Sequence, residues 1–139
     1  MKKCRLEIAD VHHDDRKFME MAVEQAREQL HRYGLEEGGD RPDPKVGCVV
    51  VTSDGKVEKG YRGELRPGEH AEFTVMEGKM ARDQLAGATV YTTLEPCADR
   101  KPSKKSCADR LIERKVSRVV IGPSSCINSG VSGGKWRRT

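Results

Sequence analysis

Apolar side chains in the stretch 14–34 fall at Phe18, Met21, Ala22, Ala26, Leu30 and Tyr33. That is the spacing of one helix face, and it predicts a helix over 14–34 with Asp15 as N-cap and Gly34 as its stop. "LEEGGDRPDP" (35–44) is punctuated by Gly and Pro and reads as a loop. "KVGCVVV" (45–51) is a short apolar, β-branched run, hence a buried strand. "SDG" (53–55) turns the chain, and "KVEKGYR" (56–62) alternates as a half-buried partner, so the two make a hairpin. After a loop over 62–69, "HAEFTVMEGKMARDQL" (70–85) predicts a second helix whose apolar face is Ala71, Val75, Met76 and Met80. "ATVYTTL" (88–94) predicts a strand, and "CADRLIERK" (107–115) a helix with Ala108, Leu111 and Ile112 inward. "SRVVIG" (117–122) predicts a last strand. The order is helix, hairpin, helix, strand, helix, strand, which is an α/β arrangement. The final two strands should be parallel, joined by a right-handed crossover. The expected architecture is a three-layer α/β/α sandwich on a mixed sheet.

No internal repeat or linker divides the chain. One domain over 14–122 is expected, with a flexible leader over 1–13 and a poorly ordered Ser- and Gly-rich tail over 123–139. At 139 residues the chain is long enough to bury a core without staples. Charged residues make up 35% of it, and no apolar run approaches the roughly 20 residues needed to cross a bilayer. "MKKCRLEIADVHHDD" has basic residues without an apolar segment after them, so a secretory signal is not expected and a cytoplasmic location is. The net charge of +4 permits an anionic ligand without arguing for nucleic acid. The local stretch "DRKPSKKS" (99–106) is more telling, with four cations against one anion.

The five cysteines are Cys4, Cys48, Cys97, Cys107 and Cys126. An odd number in such a chain speaks against a disulfide framework and for metal binding or catalysis. Cys48, inside "VGCVVV", reads as a small buried hydrophobe, and Cys4 and Cys126 as incidental. His12, His13 and His31 are expected at the surface. His70, Cys97 and Cys107 offer three donors of the kind zinc prefers, leaving a fourth position for water as catalytic zinc requires. His70 and Cys97 fall where loop or strand gives way to helix, with Pro96 suited to a helix start. The exposed N–H groups of a helix N-terminus favour thiolate over thiol. Glu72, two residues after His70, is placed to take a proton from a metal-activated water and pass it on.

"HAE" with "TLEPC" and a later cysteine resembles the zinc-dependent cytidine deaminase superfamily, whose glutamate is the general acid/base and not a ligand. Nine residues separate Cys97 from Cys107 here. Together with "PDPKVGCVVV", "GATVYTTLEPC" and "CADRLIERKVSRVVIG", that spacing is similar to the deaminase domain of the riboflavin-biosynthesis family, over roughly residues 14–122. The resemblance implies a cytidine deaminase-like fold with one zinc per chain at two helix N-termini. It implies hydrolytic removal of an exocyclic amine from a small aminopyrimidine or nucleotide. Glu72 would shuttle the proton, and the backbone at Ala71 would border the base.

Two features depart from that branch. Asp43 stands where the branch has an asparagine reaching the substrate, which exchanges an amide donor for an acceptor-only carboxylate. "ADRKPSKKS" replaces a histidine-bearing loop between the cysteines, so Arg100 and Lys104 become candidate contacts to a substrate phosphate. No reductase-like segment follows within the sequence, and the core is expected to be trimmed or to be completed by a partner subunit in a homodimer or larger assembly. Two other functions stay open. One is a deaminase acting on single-stranded DNA or RNA, suggested by the basic loop and by Trp136 among Lys135, Arg137 and Arg138. Only 4% aromatic content counts against it, because single-strand platforms stack bases on such rings. The other is a catalytically silent zinc domain used for assembly, which the intact set of four residues argues against.

Overall fold

A computed structural model describes residues 13–33, 44–97 and 105–122. The elements are α1 (His13–Tyr33), β1 (Gly47–Val51), β2 (Val57–Tyr61) and α2 (Ala71–Phe73), which continues as a π-helix over Thr74–Lys79. Then come β3 (Thr89–Thr92), α3 (Cys107–Glu113) and β4 (Arg118–Ile121). The sheet runs β2-β1-β3-β4. β1 pairs antiparallel with β2 and β3 pairs parallel with β4, as the sequence predicts; β1 also pairs antiparallel with β3, which joins the hairpin to the parallel pair. The expectations for the leader, for the tail with its Trp136 cluster, and for Asp43, Arg100 and Lys104 lie outside the described residues.

Period-2 alternation in the strands feeds two separate cores. Cys48, Val50 and Val90 pack with Ala71, Val75, Met76 and Met80 of the second helix and with Ala108 and Leu111 of α3. Val49, Tyr91 and Val120 point the other way, against Ala22 and the partly buried Phe18, Met19 and Met21 of α1. The result is the three-layer sandwich. α1 comes so close to the sheet that a Cβ on Gly47 would lie 1.9 Å from the Ala22 carbonyl oxygen. Only glycine fits there.

Four local expectations are corrected. Asp15 is not the N-cap of α1 but sits inside its first turn, 3% exposed, with its carboxylate bonded to Tyr91 and Arg118. The buried face of α1 is more polar than its apolar pattern predicts: Gln25 and Gln29 are buried while Leu30 is exposed. The Gln29 side chain accepts from the Val46 N–H and donates to the Pro44 carbonyl, satisfying the backbone that enters β1. The second helix stops at Lys79 instead of reaching 85. The reason is Arg114, whose guanidinium donates to the carbonyls of Met76, Met80 and Asp83 and so takes acceptors that further helical turns would use. Ile112 is 43% exposed, because α3 turns only Ala108 and Leu111 to the core.

Candidate active site

The second helix and α3 begin beside one another, and both deliver donors at their first turns. His70 is the extended residue preceding Ala71, and Cys107 is the first residue of α3, whose N-cap Ser106 accepts from the Asp109 N–H at 3.0 Å. The helix expected to start at Pro96–Cys97 is not seen at those two residues, which have irregular backbone. Cys97 reaches the site from the segment after β3, and the residues that would continue a helix from it lie outside the described ones. The Cys107 N–H donates to Cys97 Sγ at 3.3 Å, and the Ala108 N–H to the Cys97 carbonyl at 3.0 Å.

His70 Nδ1 lies 3.3 Å from Cys107 Sγ and 3.8 Å from Cys97 Sγ, and all three donor atoms fall within 4.8 Å of one another. A tetrahedral zinc with its usual bond lengths spaces such donors about 3.6–3.8 Å apart. The set fits that ion in chemistry and in spacing. The Cys97 thiol is pulled down to about 4, first by the hydrogen bond with the Cys107 side chain, then by His70 and the Cys107 backbone, against burial, which pushes it up. A thiolate is the form a metal needs.

Glu72 is 4% exposed, with Thr92 Oγ1 3.4 Å from its Oε2. Burial pushes its carboxyl above the ordinary carboxylate range. The nearby Cys97 pushes the same way, and its own backbone N–H, His70 and Thr92 pull it back. Glu72, His70, Ala71 and Cys97 line one cavity of about 90 Å³ with Pro44, Val46, Arg62, Leu94 and Glu95.

Residues 12–123 match the family of the cytidine and deoxycytidylate deaminase zinc-binding region. The chain belongs to this family. Its cofactor is zinc. Riboflavin biosynthesis protein RibD of Actinobacillus pleuropneumoniae is 36% identical over 110 residues, covering 79% of this chain and 26% of the relative. The diaminohydroxyphosphoribosylamino-pyrimidine deaminase of Schizosaccharomyces pombe is 43% identical over 81 residues, covering 55% and 20%. The crystal structure of a diaminohydroxyphosphoribosylaminopyrimidine deaminase/5-amino-6-(5-phosphoribosylamino)uracil reductase from Thermotoga maritima superposes with a TM-score of 0.66. It is 31% identical, covering 91% of this chain and 34% of that one. The chain thus spans about a quarter or a fifth of the length of these two curated relatives.

The structure brings together His70, Ala71, Glu72, Cys97 and Cys107 from three separate parts of the chain. Sequence reasoning missed Arg62, Leu94 and Glu95. Arg62 follows β2, and its alternation with Tyr61 and Gly60 marks a strand end, not a site. Leu94 and Glu95 stand inside "TLEPC", where proximity to Cys97 was the available signal.

Proposed function

We propose that this chain is a zinc-dependent hydrolytic deaminase acting on a small phosphorylated aminopyrimidine of the kind used in riboflavin biosynthesis. The observation that carries the reading is the buried carboxylate of Glu72 sharing a cavity with His70 and Cys97. A carboxylate held away from water costs stability, and a zinc site used only for assembly has no need of one. We assign His70, Cys97 and Cys107 as the zinc ligands and Glu72 as the catalytic acid/base. Bound by these three residues, zinc would supply the acidification of a water molecule. Glu72 accepts a proton from the attacking water and delivers it to a ring nitrogen of the substrate. It then carries the second proton to the departing amine, so that the ring gains a carbonyl and ammonia leaves. The Ala71 backbone borders the ring.

The names of the relatives support an aminopyrimidine substrate. Arg62 supports an anionic group on it, since it lines the cavity and an arginine suits a phosphate. Asp43, Arg100 and Lys104 are assigned as further substrate contacts on their sequence positions, before β1 and between the two cysteine ligands. The reading includes a homodimer or larger assembly, for which exposed Leu65, Leu94 and Ile112 offer apolar surface to cover. It also includes a cytoplasmic setting, in keeping with free thiols at Cys48, Cys97 and Cys107. Among the described residues, no helix is long and apolar enough to cross a membrane. The test is ammonia release across aminopyrimidines, nucleosides, nucleotides and single-stranded DNA. Turnover of a phosphorylated aminopyrimidine is expected, and turnover of single-stranded DNA alone would reject the proposal.

A further inference from the structure

His70, Phe73 and Glu77 recur at intervals of three and four along the second helix, and Cys107, Arg110 and Arg114 recur likewise along α3. Residues so spaced share a helix face. The two stripes oppose one another rung by rung. At the top, His70 Nδ1 faces Cys107 Sγ at 3.3 Å. Below it, the Arg110 guanidinium lies over the Phe73 ring, 4.5 Å from its centroid. At the bottom, Arg114 Nη1 meets Glu77 Oε2 at 3.2 Å, with Arg110 Nη1 3.8 Å from the same oxygen.

We infer that Arg110 and Arg114 are positioning residues for the metal, fixing the register between the helix that carries His70 and the helix that carries Cys107. The inference rests on the reading of His70, Cys97 and Cys107 as the zinc ligands. Cys97 and Cys107 are tied to each other by the backbone hydrogen bonds from Cys107 and Ala108. His70 comes from a different helix and meets them through its imidazole, 3.3 Å from Cys107 Sγ and 3.8 Å from Cys97 Sγ. Apolar contacts in the core shared by Ala71, Val75, Ala108 and Leu111 hold the two helices together, but the hydrophobic effect behind them is non-directional. Directional contacts add a definite register. A cation over a ring face and a guanidinium on a carboxylate have narrow optima in distance and angle. Arg114 also fastens the lower end of the π-helix through the carbonyls of Met76, Met80 and Asp83. Neither arginine reaches the metal donors, and neither has a part in proton transfer. Their side chains are only 22% and 19% exposed, so solvent screens these contacts weakly.

The experiment follows zinc transfer from the loaded protein to a chromophoric chelator, well below the melting temperature. Arg110→Met and Arg114→Met together should speed release or weaken binding by about 5–10-fold, at or below the low end of the roughly 10–100-fold that follows loss of a group bonded directly to a ligand. Arg110→Lys, which keeps a cation over Phe73, should recover most of the effect of Arg110→Met. Cobalt-substituted Arg110→Met should show a shifted ligand-field spectrum. Arg118→Met serves as control, because it breaks an ion pair on the opposite face of the sheet and should lower stability without speeding release. Should the double variant fail to fold, Arg110→Met alone decides, since Arg110 caps none of the carbonyls that Arg114 does. Wild-type retention of zinc in the arginine variants overturns the inference, as does equally fast release from Arg118→Met at the same loss of melting temperature. A wild-type protein that takes up no zinc rejects the ligand assignment itself, before any variant is compared.

Discussion

Arg118 at the head of β4 grips Asp15 in the first turn of α1 with both ends of its guanidinium, Nη2 to Oδ2 at 2.7 Å and Nη1 to Oδ1 at 3.2 Å. The Tyr91 hydroxyl donates to the same carboxylate at 2.5 Å. Burial, and then the Asp15 carboxylate, push the Tyr91 phenol above its ordinary range, so it stays a donor at any working pH. Residues from the beginning, middle and end of the fold are thereby fastened across the face away from the active site.

Asp15→Ala should therefore cost about 3 kcal/mol in urea denaturation, because it strands a partly buried cation and a buried hydroxyl together. Activity per folded molecule should remain within about twofold, since the change touches nothing near Glu72. An activity loss larger than the unfolded fraction accounts for would show that α1 communicates with the site.

Burial of Glu72 ties stability to pH. Its folded carboxyl is raised above 4.5 by burial, so in metal-free protein its contribution is fully present below that value and is lost as pH rises through the raised one. Glu72→Gln removes this loss. Metal-free Glu72→Gln should be more stable than metal-free wild type at about pH 7, and the gap should close as pH falls toward roughly 4. Turnover should disappear while zinc content stays near one per chain. Urea titrations across that range, with elemental analysis, check both; a gap that widens on acidification would contradict the sign.

Cys97 and Cys48 should differ sharply in reactivity. Cys97 is half-buried and pulled down to about 4, whereas burial, and then the Glu72 charge, push the Cys48 thiol well above its usual value. In metal-stripped protein at about pH 6, iodoacetamide should label Cys97 and spare Cys48, as thiolate fraction and access dictate. Zinc should protect Cys97. Peptide mapping by mass spectrometry distinguishes the two sites, and equal labelling would place the thiolate elsewhere.

Arg62→Ala should raise KM for a phosphorylated aminopyrimidine by about tenfold or more, the worth of one charge-assisted hydrogen bond, and leave kcat near wild type. The dephosphorylated compound should be nearly indifferent to the change. Steady-state kinetics on the pair of substrates measures it. A fall in kcat for both would move Arg62 from recognition into the chemistry.

The cluster of His70, Cys97 and Cys107 was legible in sequence because its signals are local. His70 and Glu72 stand two residues apart at a helix start, and Cys97 and Cys107 bring chemistry that few other roles explain. The strands were legible for a similar reason, since β1 and β3 are apolar runs whose alternate side chains meet two cores. What escaped was set by distant partners. Gln29 is buried because the backbone at Pro44 and Val46 needs its amide, and no periodicity reports that. Asp15 looked like a cap because its partners, Tyr91 and Arg118, stand far along the chain. Arg62 joins the cavity only once the turn after β2 folds back toward His70. The early end of the second helix could not be read from 70–85, because Arg114 imposes it.

The π-helix over Thr74–Lys79 gives this part of the chain a length tolerance of a particular kind. Its wider turn holds one more residue than an α-helical turn would, with the Met80 N–H reaching the Val75 carbonyl. A chain shortened by a single residue here could close into ordinary α-helix with its backbone bonds intact, because a wide turn holding one extra residue and an α-turn without it cover nearly the same rotation about the axis. Single-residue deletions in this segment should accordingly leave the residues beyond them facing nearly the same way, a kind of variation that substitution scans of the same six positions do not sample.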